Sequence, residues 1–186
     1  GYIAVEFAGI FAGLGVKTTL CYRRDNVLRG FDPDLRKDLH EAMARRGVMF
    51  RFETTIEKLS HGEHGIKATF HSGDSENFGA VMFATGRWPA TRNMGLEAVG
   101  VEMNDKGIIK VDKYSKTGVP SSYAVGDVTG RAELTPVAIR EGAAFAETVF
   151  NDNPTAVDHS LIPTAVFSEP EIGTVGMPED EAAAKI

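Results

Sequence analysis

The residues most able to do chemistry are three arginines, Arg23, Arg24 and Arg29, which lie just past a β-branched run. A guanidinium is a planar fork of donors that stays charged at any working pH and matches phosphate oxygens two at a time. Upstream stand Gly1 and Ala4, a glycine and a small residue three places apart, at the mouth of a helical pattern. That spacing suits the last two positions of G-x-G-x-x-G/A. The glycine there lets a pyrophosphate approach the backbone, and the small residue lets helix and strand pack closely. Gly1, Tyr2, Ile3 and Ala4 would then form a pyrophosphate turn. The first glycine and its strand would lie upstream, so the chain reads as a fragment that begins inside the motif. The residue past the second strand of such a unit meets the adenosine ribose, where an acid selects NAD and an arginine suits the 2′-phosphate of NADP. A basic turn on its own is usually solvated surface. With the glycine spacing at the correct distance, the arginines favour NADP.

The elements that must position these groups follow in order. Ile3, Phe7, Ile10, Phe11 and Leu14 share one face of a predicted helix, which Gly15 stops. Lys17–Tyr22 reads as the second strand, and Asp32-Pro33 opens a crossover helix with Leu35, Leu39, Ala42 and Met43 on its core face up to Gly47. Val48–Arg51 is the strand it delivers. Thr55–Leu59, Ile66–Phe70 and Phe78–Ala84, separated by glycine-bearing turns, predict a small antiparallel meander. Ala80–Ala84 is a continuous apolar run that suits a strand buried on both faces. It ends at Gly86, which permits close backbone approach, and at Arg87, a charge on the rim where such sheets bind ligands. Further on, Asn104–Gly107 is a turn, and Ile108–Val111 and Ser122–Val125 are predicted strands, the second delivering Gly126-Asp127. Thr135 is expected to cap a helix with Ile139, Ala143, Ala146 and Phe150 on one face. Free N–H groups at that terminus would favour an anionic group.

GYIAVEF, VLRGFD, ATGRWP, YAVGDV, LTPVA and PTAVFSEPEIGTVG stand in this order. Together they resemble the glutathione reductases of the pyridine nucleotide-disulfide oxidoreductase family, from Gly1 to about Glu181. The resemblance implies an α/β architecture in three parts. Residues 1–89 would be a Rossmann-like NADP-binding βαβ domain with an antiparallel meander, 90–159 the second half of a split FAD-binding domain, and 160–186 the start of an α+β interface domain. It also implies electron transfer from NADPH through FAD to a redox disulfide and on to glutathione disulfide, in a cytoplasmic homodimer. Arg23 and Arg29, with Arg24 beside them, would hold the 2′-phosphate, and Gly86, Arg87, Glu133 and Val166 the nicotinamide half. Tyr2 would cover the nicotinamide pocket, and Glu6 would pair with an upstream lysine beside the flavin. Asp127 would meet the ribityl chain of FAD, and Leu134 and Thr135 would present the helix terminus to the flavin. The redox cysteine pair and the acid/base histidine of the family fall outside these residues, so no catalytic residue is assigned. Glu169 stands where relatives often have histidine. Related acceptors remain open, namely trypanothione, lipoamide or mercuric ion, as does a nucleotide-binding fragment with no activity of its own.

Composition limits the partners. The 186 residues are 42% hydrophobic and 25% charged, enough to bury a core. A net charge of −6 argues against nucleic acid, so the arginine cluster is a site-sized positive spot suited to a small anion. No apolar run is long enough to span a bilayer. The single cysteine, Cys21, sits in a predicted strand and reads as a small buried hydrophobe. His61, His64 and His71 lie in glycine-rich turns without a metal-ligand constellation, and His40 and His159 read as isolated.

Overall fold

A computed structural model describes residues 1–62 and 65–185. In chain order its α-helices and strands are α1 (Tyr2–Gly13), β1 (Thr19–Cys21), α2 (Pro33–Arg45), β2 (Met49–Arg51), β3 (Ile56–Gly62), β4 (Gly65–Phe70), β5 (Ser75–Phe78), α3 (Thr135–Phe150), β6 (Thr164–Val166), β7 (Ile172–Thr174) and α4 (Glu179–Ala183), with short 3-10 turns at Glu97–Val99 and Gly126–Thr129. The fold is α/β. It gathers into two compact units, Gly1–Gly86 with Pro163–Ile186, and Arg87–Ile162.

In the first unit β1 and β2 pair in parallel, with Leu20 opposite Phe50, and α2 makes the crossover. The start of α2 is built as its sequence suggests. Asp32 Oδ1 accepts from the Asp34 N–H at 2.9 Å, and Pro33 presets the first helical φ. Gly47, at φ +93°, takes the left-handed exit. Leu39 and Met43 are fully buried, while Leu35, expected beside them, is 38% exposed. α1 ends in a Schellman motif: the Gly15 N–H donates to Ala12 O at 2.9 Å and the Val16 N–H to Phe11 O at 3.0 Å, with Gly15 at φ +82°.

The face of α1 that meets the core is not the one its large residues predict. Val5 and Ala8 are buried with Ala12 beside them, while Phe7, Ile10 and Leu14 are 39%, 50% and 76% exposed. Apolar residues occur all round this helix, so periodicity alone does not choose a side. The small residues win because a helix lying close on a strand needs short side chains at the contact.

The meander is present as β3-β4-β5, all antiparallel. Its third strand comes earlier than predicted, because the hairpin after Phe70 is tight: the Phe70 N–H donates to Asp74 O and Gly73 turns at φ +89°. Ser75 is thereby opposite Thr69, and Glu76 in β5 reaches Arg51 at 2.7 Å. Ala80–Ala84, predicted as a buried strand, pairs with no strand among the described residues, and Met82 and Phe83 are 49% and 61% exposed. A run of this kind is buried only where neighbours flank it on both sides.

β6 and β7 form an antiparallel pair, and Val166 and Ile172 join the core of this first unit. The segment is tied down again where the Glu179 N–H donates to Asp32 Oδ2 at 3.2 Å. These two backbone donors, Glu179 first and Asp34 second, hold the Asp32 carboxyl below the usual carboxylate range. A group whose folded value is depressed contributes stability above its unfolded value, about 3.9, and loses it as pH falls through the folded value. Asp32→Asn keeps an acceptor for the cap but removes the titration. Its urea midpoint is therefore expected to fall less steeply than that of the native chain below about pH 4; parallel acid limbs would exclude this role.

The second unit is mostly irregular chain around α3. The predicted strands Ile108–Val111 and Ser122–Val125 appear only as single bridges, Met103 to Ile109 and Lys116 to Tyr123. The predicted Asn104–Gly107 turn is present: Asn104 Oδ1 accepts from the N–H groups of Lys106 and Ile108, and Gly107 at φ +81° donates back to Asn104 O. On α3 the buried residues are Val137, Glu141 and Ala144. Ile139 and Phe150, predicted to face the core, are 66% and 74% exposed.

Candidate functional site

Arg23 and Arg24 leave the end of β1, whose position is fixed by backbone bonds from the Tyr22 N–H to Arg51 O and from the Thr54 N–H to Tyr22 O. The loop that follows dips into the core. Val27 and Leu28 are 3% and 2% exposed, and the chain emerges at Arg29. Leu28 adopts φ +52°, a left-handed conformation that costs a branched residue about 1–2 kcal/mol. Burying its side chain returns about 1.5–3 kcal/mol, so burial outweighs the strain and the loop is plugged from inside. Arg23, Arg24 and Arg29 are all exposed, and among the described residues none is in an ion pair. Their charge is free for a ligand.

At the start of α1, Gly1 occupies the N-cap position and no side chain caps the helix. Tyr2, Ile3 and Ala4 form a half-buried first turn. An uncapped helix N-terminus with a glycine entry offers N–H donors and a positive dipole end to an anion. The Tyr2 side chain packs against the core of this unit. Glu6 Oε1 accepts from the Phe167 N–H at 2.9 Å, which ties α1 to the end of β6. Val166 is 0% exposed within that core. Its side chain is thus closed to a nicotinamide, and only its backbone could serve one.

In the second unit the structure brings together two residues that the sequence assigned to different ligands. Arg87 Nη2 lies 3.4 Å from Asp127 Oδ2, with the two side chains 62% and 42% exposed. Such an exposed pair is worth at most about 1 kcal/mol, so a ligand can displace it. Gly86 holds φ +134°, open to glycine, with no atom near the place of a Cβ. Glu133 is exposed and Leu134 half-buried. Thr135 does not cap α3. It is the first helical residue, Leu134 holds the extended cap position, and no side chain caps the helix. Pro136 has no donor and the Val137 N–H turns back to Leu134 O at 3.0 Å. Of the first three residues of α3, this leaves the Thr135 N–H, with the positive end of the helix dipole, to face an anion.

Behind Asp127 lies a feature that periodicity did not reveal. Glu141, 1% exposed on α3, accepts from the Gly126 N–H with Oε2 at 2.6 Å. Its Oε1 meets His159 Nε2 at 2.7 Å and Arg131 Nη1 at 3.5 Å. His159 is therefore not isolated. Nor is His40, whose ring stands edge-on to Phe50 and Phe52 at 4.6 and 4.9 Å. A signal for Glu141 was available: it falls between Val137 and Ala144 at i+4 and i+7, an acid in the middle of an apolar stripe.

Two minor readings resolve differently. Cys21 is half-buried rather than buried; burial pushes its thiol up, Arg51 opposes this, and Glu76 adds a smaller upward push, the setting of an inert thiol. His64 lies outside the described residues, and among the described residues no His, Cys, Asp and Glu side chains are grouped to hold a metal.

The profile of the pyridine nucleotide-disulphide oxidoreductases matches residues 1–142. The chain is 47% identical to a trypanothione reductase of Trypanosoma congolense, over 98% of this chain and 38% of that protein. It is 46% identical to a glutathione reductase of Burkholderia cepacia, over 98% of this chain and 40% of that protein. It is 49% identical to a chloroplastic/mitochondrial glutathione reductase of Pisum sativum, over 98% and 33%. The chain thus spans well under half the length of these relatives. Among solved structures, the HOCl-induced flavoprotein disulfide reductase RclA of Escherichia coli superposes with a TM-score of 0.93 at 29% identity, over 99% of this chain and 42% of that one. LpdA of Mycobacterium tuberculosis superposes with a TM-score of 0.92 at 28% identity, over 100% and 40%.

Proposed function

The chain belongs to the pyridine nucleotide-disulphide oxidoreductases, and from that premise we propose that it is part of an FAD-dependent reductase that uses NADPH to reduce glutathione disulfide. The observation that carries the nucleotide assignment is the corner at the end of β1, where three exposed arginines stand without carboxylate partners among the described residues. They are the chemistry that a 2′-phosphate requires.

The residues fit both cofactors. For NADP, Gly1 to Ala4 present an uncapped helix start to a pyrophosphate, and Arg23, Arg24 and Arg29 take the 2′-phosphate. Gly86, Arg87, Glu133 and the backbone at Val166 serve the nicotinamide half, with Tyr2 as its cover. For FAD, Asp127 is freed from Arg87 to accept from a ribityl hydroxyl, and the uncapped α3 terminus at Leu134 and Thr135 offsets negative charge on the ring. Glu6 is the partner proposed for a lysine that polarises the flavin. When bound, FAD supplies the two-electron relay between NADPH and a redox disulfide. The reading divides the chain into a nucleotide domain at 1–89, part of a flavin domain at 90–159 and the opening of an interface domain at 160–186. It places the whole protein in the cytoplasm as a homodimer. No helix among the described residues is long and apolar enough to cross a membrane.

The nearly equal identity to a trypanothione reductase keeps that disulfide as the second reading. Steady-state assays of the full-length protein with NADPH decide between them. The expected order has glutathione disulfide as the best acceptor, ahead of trypanothione disulfide, lipoamide and mercuric ion. Faster turnover of any of the other three would replace the assignment.

A further inference from the structure

Arg36, in the first turns of α2, is a fourth arginine of the same corner, and it is used in another way. Its side chain is only 18% exposed. Nε donates to Val27 O at 2.7 Å and Nη2 to Asn26 O at 3.0 Å, with Asp25 Oδ1 3.8 Å from Nη2. One planar fork thus receives two successive loop carbonyls, a geometry that lysine cannot reproduce with a single nitrogen. Those carbonyls immediately precede Leu28, the buried residue in the left-handed region, and Arg29 follows it. The loop is therefore plugged into the core by Val27 and Leu28 and clamped from α2 by Arg36, and Arg29 is left standing outside.

We propose that Arg36 is a positioning residue for recognition of the 2′-phosphate. It does not touch the ligand. It fixes the Asn26–Leu28 backbone so that Arg29 is already in place when the nucleotide arrives, and an ordered loop removes part of the entropy that binding must otherwise overcome. This inference rests on the NADP reading above.

The test is calorimetric titration of the full-length protein with 2′,5′-ADP and, as the probe lacking the 2′-phosphate, with 5′-AMP. Arg36→Met is expected to raise the Kd for 2′,5′-ADP by about three- to ten-fold, the scale of ordering one or two side chains, and that for 5′-AMP by less than two-fold. Arg36→Lys keeps the charge but loses the fork, so it is expected to remain impaired for 2′,5′-ADP; full recovery would show that charge alone matters and overturn the proposal. If Arg36→Met gives no folded protein, the lysine variant carries the same comparison. Arg29→Gln in parallel separates the two levels. Selectivity lost with Arg29→Gln and kept in the Arg36 variants overturns this inference alone. Selectivity unchanged in every variant removes the 2′-phosphate reading, and the inference with it.

Discussion

Replacing Arg23 and Arg29 together by glutamine is expected to weaken NADPH binding by several-fold to about a hundred-fold, or about 1–3 kcal/mol for charge-assisted hydrogen bonds to a phosphate. NADH binding should barely change, since NADH carries nothing for these side chains to hold. The estimate stays modest because both arginines are exposed, where water and salt screen the attraction. Two observations keep it from vanishing. Neither guanidinium is in an ion pair among the described residues, so no internal contact must be broken before the ligand is met. The backbone beneath them is also fixed, by the β1–β2 pairing on one side and the buried Val27 and Leu28 on the other. Because the substituted side chains support no other group, unfolding of the variant should match that of the native protein within about 0.5 kcal/mol. The discriminating measurement is the ratio of Kd values for NADPH and NADH at two salt concentrations. The native preference for NADPH should shrink as salt rises, and the variant should show little preference at either. Equal losses for the two coenzymes would remove the arginines from the 2′-phosphate and leave the nucleotide assignment to family membership alone.

How far such a site can be read without coordinates depends on what kind of force positions each residue. Both ends of α2 were legible, because its boundaries are set by local chemistry: a side-chain cap at Asp32, a preset φ at Pro33 and a left-handed exit at Gly47. The stop at Gly15 and the Asn104–Gly107 turn were legible for the same reason. The buried faces of α1 and α3 were not. Both helices carry apolar residues on more than one side, and the choice between sides is made by what lies opposite. On α1 the closest partner demands the small residues Val5 and Ala8. On α3 the inward stripe includes an acid, which a count of hydrophobic positions passes over. Ala80–Ala84 failed differently, since burial of that run is a property of flanking strands, and none pairs with it among the described residues. Thr135 shows a one-residue limit: the start of the helix was foreseen with Thr135 as its cap, but the cap position belongs to Leu134, which holds the extended backbone, and no side chain caps the helix. The contacts of Arg36 and Glu141 were hidden for a common reason, although the place of Glu141 within an apolar stripe marked it as unusual. Each uses a charged side chain to satisfy backbone groups of a loop outside its own helix, and the partner in such a contact is marked by no period and no motif.

Glu141 is where that blind spot has the largest energetic consequence. Glu141→Ala is expected to destabilise the second unit by about 2–4 kcal/mol, the range for leaving buried donors and cations without their acceptor. The Gly126 N–H would lose a 2.6 Å partner. Arg131 and His159 would lose their shared carboxylate, although both are partly exposed, at 21% and 24%, so water recovers some of the loss. Glu141→Gln should cost less, because its carbonyl can still accept from Gly126 while the ionic part is gone. The effect should also be local. Gly126 turns at φ +73° close against α3, where an added Cβ would lie 3.1 Å from the Ala138 Cβ, and Asp127 is the next residue. Releasing the turn therefore loosens Asp127 from α3, the two features proposed to hold FAD. Hydrogen exchange of the full-length protein should show the Gly126 amide exchanging faster in Glu141→Ala, intermediate in Glu141→Gln, and unchanged around the β1–β2 pair. FAD release on dilution should follow the same order. If Glu141→Ala leaves Gly126 protected while global stability falls, the carboxylate serves the packing of α3 and has no part in holding the turn.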